Sequence, residues 1–128
     1  MTGLKHLLLT GAGGFLGSIA RYLVTRLGSR IDYLSLPFGT LVVNLLGSFV
    51  IGILIGISEK SDLIPIEWRL FLMVGLCGGF TTFSSFAGEN LMLLRSAQIG
   101  SMLLYTGLSL ILGLAAVWLG YASTRLLA

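Results

Sequence analysis

The sequence LPFGTLVVNLLGSFVIGILIGI, residues 36–57, contains no charged side chain. A helix that crosses the hydrocarbon core of a bilayer needs about 20 mostly apolar residues, so this stretch is long enough to span a membrane. Comparable stretches occur at about residues 6–27, 66–94 and 97–127. The sequence therefore predicts an all-α integral membrane protein with four transmembrane helices joined by short connections.

Composition supports a single transmembrane domain over residues 1–128. Hydrophobic residues make up 55% of the chain and charged residues 10%, whereas soluble domains carry about 25% charged residues. The single cysteine, Cys77, and the single histidine, His6, provide neither a zinc site nor a nucleophile–base pair. The scattered basic residues form no patch for nucleic acid. We therefore expect neither an enzyme nor a nucleic-acid-binding protein.

The basic residues are balanced between the two predicted sides of the membrane. One side carries Lys5, Lys60, Arg69 and Arg125, and the other carries Arg21, Arg26, Arg30 and Arg95. An excess of Lys and Arg on one side normally sets the orientation of a membrane protein. The balance predicts insertion in both orientations and assembly as an antiparallel homodimer. Alternatively, one basic loop dominates and the count is misleading.

The third predicted helix contains residues that form helices poorly. Residues 75–86 read GLCGGFTTFSSF, with adjacent glycines followed by two β-branched threonines. They predict a break near the middle of the membrane, which is tolerated only where freed backbone groups face protein, water or an ion. A continuous helix with a glycine-rich packing face explains the same residues. Glycine pairs spaced for close helix packing occur at Gly13–Gly17, Gly52–Gly56 and Gly75–Gly79.

Polar side chains recur inside the predicted helices. They are Asn44 in the second, Thr82, Ser85 and Glu89 in the third, and Ser101, Tyr105 and Ser109 in the fourth. Phe83 and Phe86 are three residues apart and share a helix face. Hydroxyl and amide donors, with the positive edges of aromatic rings, suit a small anion. Glu89 argues mildly against a pure anion path, unless it lies at a pore end, bonds to a hydroxyl or is protonated by burial.

Two motifs resemble those of a known family. Residues 78–86, GGFTTFSSF, and residues 39–47, GTLVVNLLG, are similar to the signatures of the Fluc (CrcB) fluoride channels. The pairs Gly17 with Arg21 and Tyr105 with Ser109 fit as well, so the resemblance covers all four predicted helices. Ser85 stands where many relatives have threonine, which keeps the hydroxyl group.

The resemblance implies a fold, a function and a set of site residues. It implies an antiparallel homodimer with two pores that passively export toxic fluoride from the cytoplasm across the cell inner (plasma) membrane. Fluoride, membrane lipid and a second copy of the chain are the expected partners. The expected fluoride pathway comprises Thr40, Asn44, Thr82, Phe83, Ser85, Phe86, Tyr105 and Ser109.

A structural sodium ion is the implied cofactor. The resemblance points to the main-chain carbonyls of Gly78 and Thr81, and two antiparallel copies of the break would bring four such oxygens together. Neither Glu89 nor Arg21 is expected to transfer protons during transport, and the Arg21 side chain is expected to snorkel to a helix end.

Two alternatives remain open. A proton-coupled exporter resembling the small multidrug-resistance transporters would also have four helices and dual topology. Those transporters depend on a glutamate in the first helix, where this chain has no acid. A non-transporting membrane scaffold would leave the convergent polar groups without a use.

Overall fold

The computed structural model describes residues 2–31, 35–60 and 62–127, and the chain is helical over most of them. The helices are α1 (Thr2–Gly28), α2 (Phe38–Lys60), α3 (Ile66–Arg69), a π-helical segment (Leu70–Cys77), α4 (Gly78–Phe80), α5 (Phe83–Arg95) and α6 (Ile99–Leu126). Four spans are long and apolar enough to cross a membrane: Thr2–Gly28, Phe38–Lys60, Ile66–Arg95 and Ile99–Leu126. The prediction of four hydrophobic helices is confirmed. Asp32 and Ser61, in the predicted connections, lie outside the described residues.

The boundaries of all four spans differ from those predicted by up to four residues, and α2 covers Phe38–Lys60 rather than 36–57. Two of the differences have a clear local cause. The first helix begins at Thr2, because the helical backbone continues through the charged Lys5, which hydropathy excludes from the span. The last helix begins at Ile99, because Ala97 has a positive φ of 57° and turns the chain between α5 and α6. Both differences concern polar or turning residues at helix ends, where hydropathy carries little information.

Glycines allow the spans to approach closely, as the small-residue pairs predict. A side chain at Gly13 would collide with the carbonyl oxygen of Phe71, and one at Gly17 with that of Leu76. These two glycines therefore allow α1 to pack closely against the π-helical segment. Further glycines do the same between α2 and α6, where Gly52 faces the Val117 carbonyl and Gly120 faces the Phe49 carbonyl.

The third span changes backbone conformation near its middle residues. Thr81 (φ −80°, ψ 157°) and Thr82 (φ −151°, ψ 115°) are extended between α4 and α5. The hydroxyl oxygen of Thr82 accepts a hydrogen bond from the N–H of Ser85 (3.1 Å) and so caps the start of α5. Gly78, which the sequence assigns to the break, has helical dihedrals (φ −63°, ψ −39°). The extended residues are the β-branched threonines rather than the glycines.

Polar contacts join the spans at the end of the bundle where the chain begins. Lys5 forms an ion pair with Glu67 (3.1 Å), and Arg125 forms one with Glu59 (3.0 Å). The Lys60 ammonium donates to the carbonyl of Thr124. The basic residues of these contacts therefore lie at one end of the bundle, on the side to which the sequence assigns them.

Candidate functional site

Asn44 of α2 is paired with the main chain of Thr82. Its side-chain Nδ2 donates to the Thr82 carbonyl oxygen (3.1 Å), and its Oδ1 accepts from the Thr82 N–H (2.8 Å). A backbone that leaves the helix inside a membrane must find such internal partners, because lipid offers none. The one side-chain amide of α2 therefore satisfies both main-chain polar groups of an extended residue in the third span.

Two main-chain carbonyls lose the donors that a continuous helix would give them. In an α-helix, the carbonyl of residue i accepts from the N–H of residue i+4. The Thr82 N–H, which would bond to Gly78, donates to Asn44 instead. The Ser85 N–H, which would bond to Thr81, donates to the Thr82 hydroxyl. Gly78 and Thr81 are the two residues whose carbonyls the family resemblance assigns to sodium.

The carbonyls on either side of Gly78 are occupied. The Cys77 carbonyl accepts from both the N–H and the hydroxyl of Thr81, each at 2.9 Å. The Gly79 carbonyl accepts from Nε of Arg21 (3.0 Å). Unlike the Cys77 and Gly79 carbonyls, those of Gly78 and Thr81 would therefore meet a cation without these competing donors.

A groove of about 440 Å³ runs along the extended residues. The predicted site residues that line it are Asn44, Gly78, Thr81, Thr82, Phe83, Phe86 and Ser109. The Phe83 ring is 79% exposed and lies 5.7 Å from the Phe86 ring, measured between centroids. The groove thus combines aromatic edges with hydroxyl and amide groups, as expected for a small anion.

The remaining predicted pathway residues gather around Glu89. The Thr40 hydroxyl donates to one carboxylate oxygen of Glu89 (2.5 Å), and the Tyr105 hydroxyl donates to the other (2.7 Å). Ser85 lines a separate cavity of about 390 Å³ together with Thr40, Glu89 and Arg21. Of the three environments considered for Glu89, the structure shows the one in which it bonds to hydroxyl groups.

The two clusters lie next to each other. The Phe86 ring is 5.1 Å from the Tyr105 ring, so the groove and the Glu89 cluster meet at this aromatic contact. Thr40 and Asn44, which serve different clusters, are four residues apart and share a face of α2. That spacing gives a second reason, besides the family resemblance, to assign Thr40 to the same path as Asn44.

The expectation that the Arg21 side chain snorkels to a helix end is wrong. The Arg21 Nε bonds to the Gly79 carbonyl inside the bundle. The reason is the close approach of α1 to α4, where a side chain at Gly79 would collide with the main chain of Gly14. Among the residues that the structure describes, no carboxylate forms an ion pair with Arg21.

These features define a class of protein: a small helical membrane protein whose spans enclose side-chain amides, hydroxyls and aromatic rings. Residues 8–121 match the family described as CrcB-like protein, Camphor Resistance (CrcB). The match covers most of the chain, so this protein belongs to that family, and the resemblance drawn from its motifs is confirmed.

Relatives match over nearly their full length. A fluoride-specific ion channel FluC from Azobacteroides pseudotrichonymphae is 45% identical over 122 residues, which cover 95% of this chain and 98% of the relative. One from Chlorobium chlorochromatii is 49% identical over 123 residues, covering 96% and 95%. One from Flavobacterium psychrophilum is 42% identical over 117 residues, covering 91% and 94%.

Proposed function

We propose that this protein is a fluoride-selective channel that passively exports fluoride from the cytoplasm across the cell inner (plasma) membrane. The groove beside Thr81 and Thr82 carries the proposal, because it brings Asn44, Phe86 and Ser109 to one surface. The choice of fluoride as the ion rests on the relatives, which are named fluoride-specific ion channels. A second copy of the chain would cover this groove.

Fluoride is small and strongly hydrated, so a path through the bilayer must replace the hydrogen bonds it loses from water. The Asn44 amide has two donor hydrogens, and the bond to Thr82 uses one of them. Ser109 adds a hydroxyl donor, and Phe83 and Phe86 can turn positive ring edges toward an anion. None of these groups carries a full positive charge that would hold the ion too tightly to release it.

Assembly as an antiparallel homodimer is part of the proposal. On a single chain, the groove is open, and Phe83 and Gly78 are exposed beside polar main-chain atoms. Polar backbone facing lipid is costly, and a second copy would remove that cost. The equal distribution of basic residues supports insertion in both orientations. Two grooves in such a dimer would give two pores.

A central sodium ion is the second part of the proposal. A small hard cation prefers oxygen ligands, and unwound carbonyls serve this purpose in transporters. The carbonyls of Gly78 and Thr81 fit, because their helical donors bond elsewhere. When bound, sodium would supply a fixed positive charge beside the anion path. Arg21 and Asn44 would keep the Gly79 and Thr82 carbonyls from competing for it.

An ion-flux experiment tests the function directly. Purified protein in liposomes should release fluoride when the membrane potential is clamped, and should release chloride far more slowly. Proton-coupled efflux of an organic cation, without passive fluoride release, would support the exporter. No flux of either kind would support the scaffold. The exporter has little support in the sequence of α1, which carries no acid.

A further inference from the structure

The helix α5 carries both phenylalanines of the groove, yet little packing holds it in place. Leu93 is the buried residue of α5, and the other residues of this helix are partly or fully exposed. Leu93 lies toward the end of α5, away from Phe83 and Phe86. The Phe86 ring packs against Tyr105, and hydrogen bonds add to this contact in the part of α5 that faces the groove.

Asn90 makes two hydrogen bonds that link α6 to Phe86, one to Thr106 of the neighbouring helix and one within α5. Its Nδ2 donates to the main-chain carbonyl of Phe86 (3.1 Å), one helical turn earlier. Its Oδ1 accepts from the hydroxyl of Thr106 on α6 (3.2 Å). The two bonds fix the orientation of the amide, because a reversed amide would place its oxygen against the Phe86 carbonyl oxygen.

This contact differs from the neighbouring bond between Tyr105 and Glu89. The Tyr105 bond ends on a carboxylate that also faces Thr40. The Asn90 bonds run from α6 to the main chain of Phe86 itself. Neither Asn90 nor Thr106 lines the groove. Any influence they have on an ion in the groove must therefore act through the position of Phe86.

We propose that Asn90 is a positioning residue, which Thr106 holds in place so that the Phe86 ring stays at a fixed distance from α6. This inference rests on the proposed channel function and identifies a residue pair that controls the selectivity of that path. Loosening the pair lets the ring move, which widens the path and admits chloride. Fluoride flux falls at the same time, because the ring edge no longer faces the ion.

The test compares substitutions that keep or remove the bond. Thr106→Val preserves the shape of the side chain without its donor, Thr106→Ser keeps the hydroxyl, and Asn90→Ala removes the amide. Ser123→Ala is a matched control, because the bond that the described residues give this α6 hydroxyl runs within its own helix, to the Gly120 carbonyl. Fluoride and chloride flux in liposomes are measured for each variant whose dimer is intact by size-exclusion chromatography.

Thr106→Val and Asn90→Ala should lower the fluoride-to-chloride flux ratio by about threefold to tenfold, the factor that corresponds to one polar bond between membrane helices. The double variant should have the same fluoride-to-chloride flux ratio as Asn90→Ala alone, since the two changes remove the same contact. Thr106→Ser and Ser123→Ala should match the wild type. An unchanged flux ratio in both single variants would overturn the proposal.

A second measurement does not depend on transport. A fluorinated phenylalanine at position 86 reports the surroundings of the ring by NMR, and its resonance should shift in Thr106→Val but not in Thr106→Ser. A wild type that passes no fluoride would refute the proposed channel, while the resonance would still decide the positioning role. Thr106→Val that loses the folded dimer, with Thr106→Ser restoring it, would assign the pair to folding and contradict the proposal.

Discussion

At the scale of single residues, the Phe86 side chain is where the groove and the Glu89 cluster meet. We predict that Phe86→Ile slows fluoride flux on the order of tenfold, because isoleucine fills the space but has no positive ring edge to face an anion. Phe83→Ile should act in the same direction. Flux from liposomes, with dimer integrity measured by size-exclusion chromatography, checks the prediction.

Phe15→Ile is the matched control, since the Phe15 ring is exposed on α1 and lines none of the cavities described here. Its flux should equal that of the wild type. Wild-type flux in both Phe83→Ile and Phe86→Ile would show that these rings serve only packing.

Glu89 offers a test of the exporter. Glu89→Gln keeps one acceptor oxygen, so one of the two bonds from Thr40 and Tyr105 survives. We expect the variant to retain a passive conductance, reduced but not abolished, whose rate does not depend on a proton gradient. Flux measured with and without a pH difference across the liposome membrane decides this. Complete loss of flux in the variant, together with a proton dependence in the wild type, would favour the exporter.

Single-residue chemistry was partly predictable from the sequence. Asn44 was identified because an amide in an apolar helix needs a polar partner, but its partner Thr82 is 38 positions away. The bond between Arg21 and Gly79 was missed for the same reason. An arginine near a helix end normally reaches the membrane surface, and only the close approach of two helices makes an internal carbonyl the nearer acceptor.

At the scale of secondary-structure elements, glycines decide which helix faces meet. We predict that Gly17→Ala lowers the free energy of unfolding by about 1–3 kcal/mol, because the added carbon would collide with the Leu76 carbonyl and force α1 from the third span. Thermal unfolding in detergent measures the loss. Gly11→Ala is the matched control on the same helix, since nothing lies within 4 Å of the position of its added carbon.

Equal stability in the Gly17 and Gly11 variants would show that α1 does not depend on this close approach. The small-residue spacing predicted such contacts, and hydropathy predicted the spans. Neither could locate the extended residues, and the poor helix formers of residues 75–86 narrowed the change only to that segment. Glycines tolerate many conformations, but those at 78 and 79 are both helical, and α1 packs closely against Gly79. Thr82 leaves the helix because its hydroxyl and main chain find other partners, and the sequence does not show those partners.

At the scale of the whole molecule, dual topology makes a clear prediction about accessibility. Asp62 is exposed in the connection between α2 and α3. We expect Asp62→Cys, with Cys77→Ala to remove the native thiol, to react with an impermeant maleimide in roughly half of the copies in intact cells, because the basic residues favour neither orientation. Labelling in all copies or in none would contradict an antiparallel dimer.

The proposed sodium ion predicts a cation dependence of the whole assembly. Protein purified and reconstituted with a large organic cation in place of sodium on both sides should pass less fluoride, because the Gly78 and Thr81 carbonyls then have no ion to coordinate. Returning sodium should restore the flux. The effect should be equal at about pH 6 and pH 8, since main-chain carbonyls do not titrate there. Full flux in the thorough absence of sodium would refute the ion's structural role.

The pairing of Asn44 with Thr82 also has a consequence for biogenesis. The ribosome synthesises α2 before the third span, so the Asn44 amide is already present when Thr82 reaches the insertion machinery. A third span released alone would expose an N–H and a C=O to lipid, at a cost of several kcal/mol for each group. We therefore expect these two spans to leave the translocon as a pair, and a chain in which their order is reversed to integrate slowly.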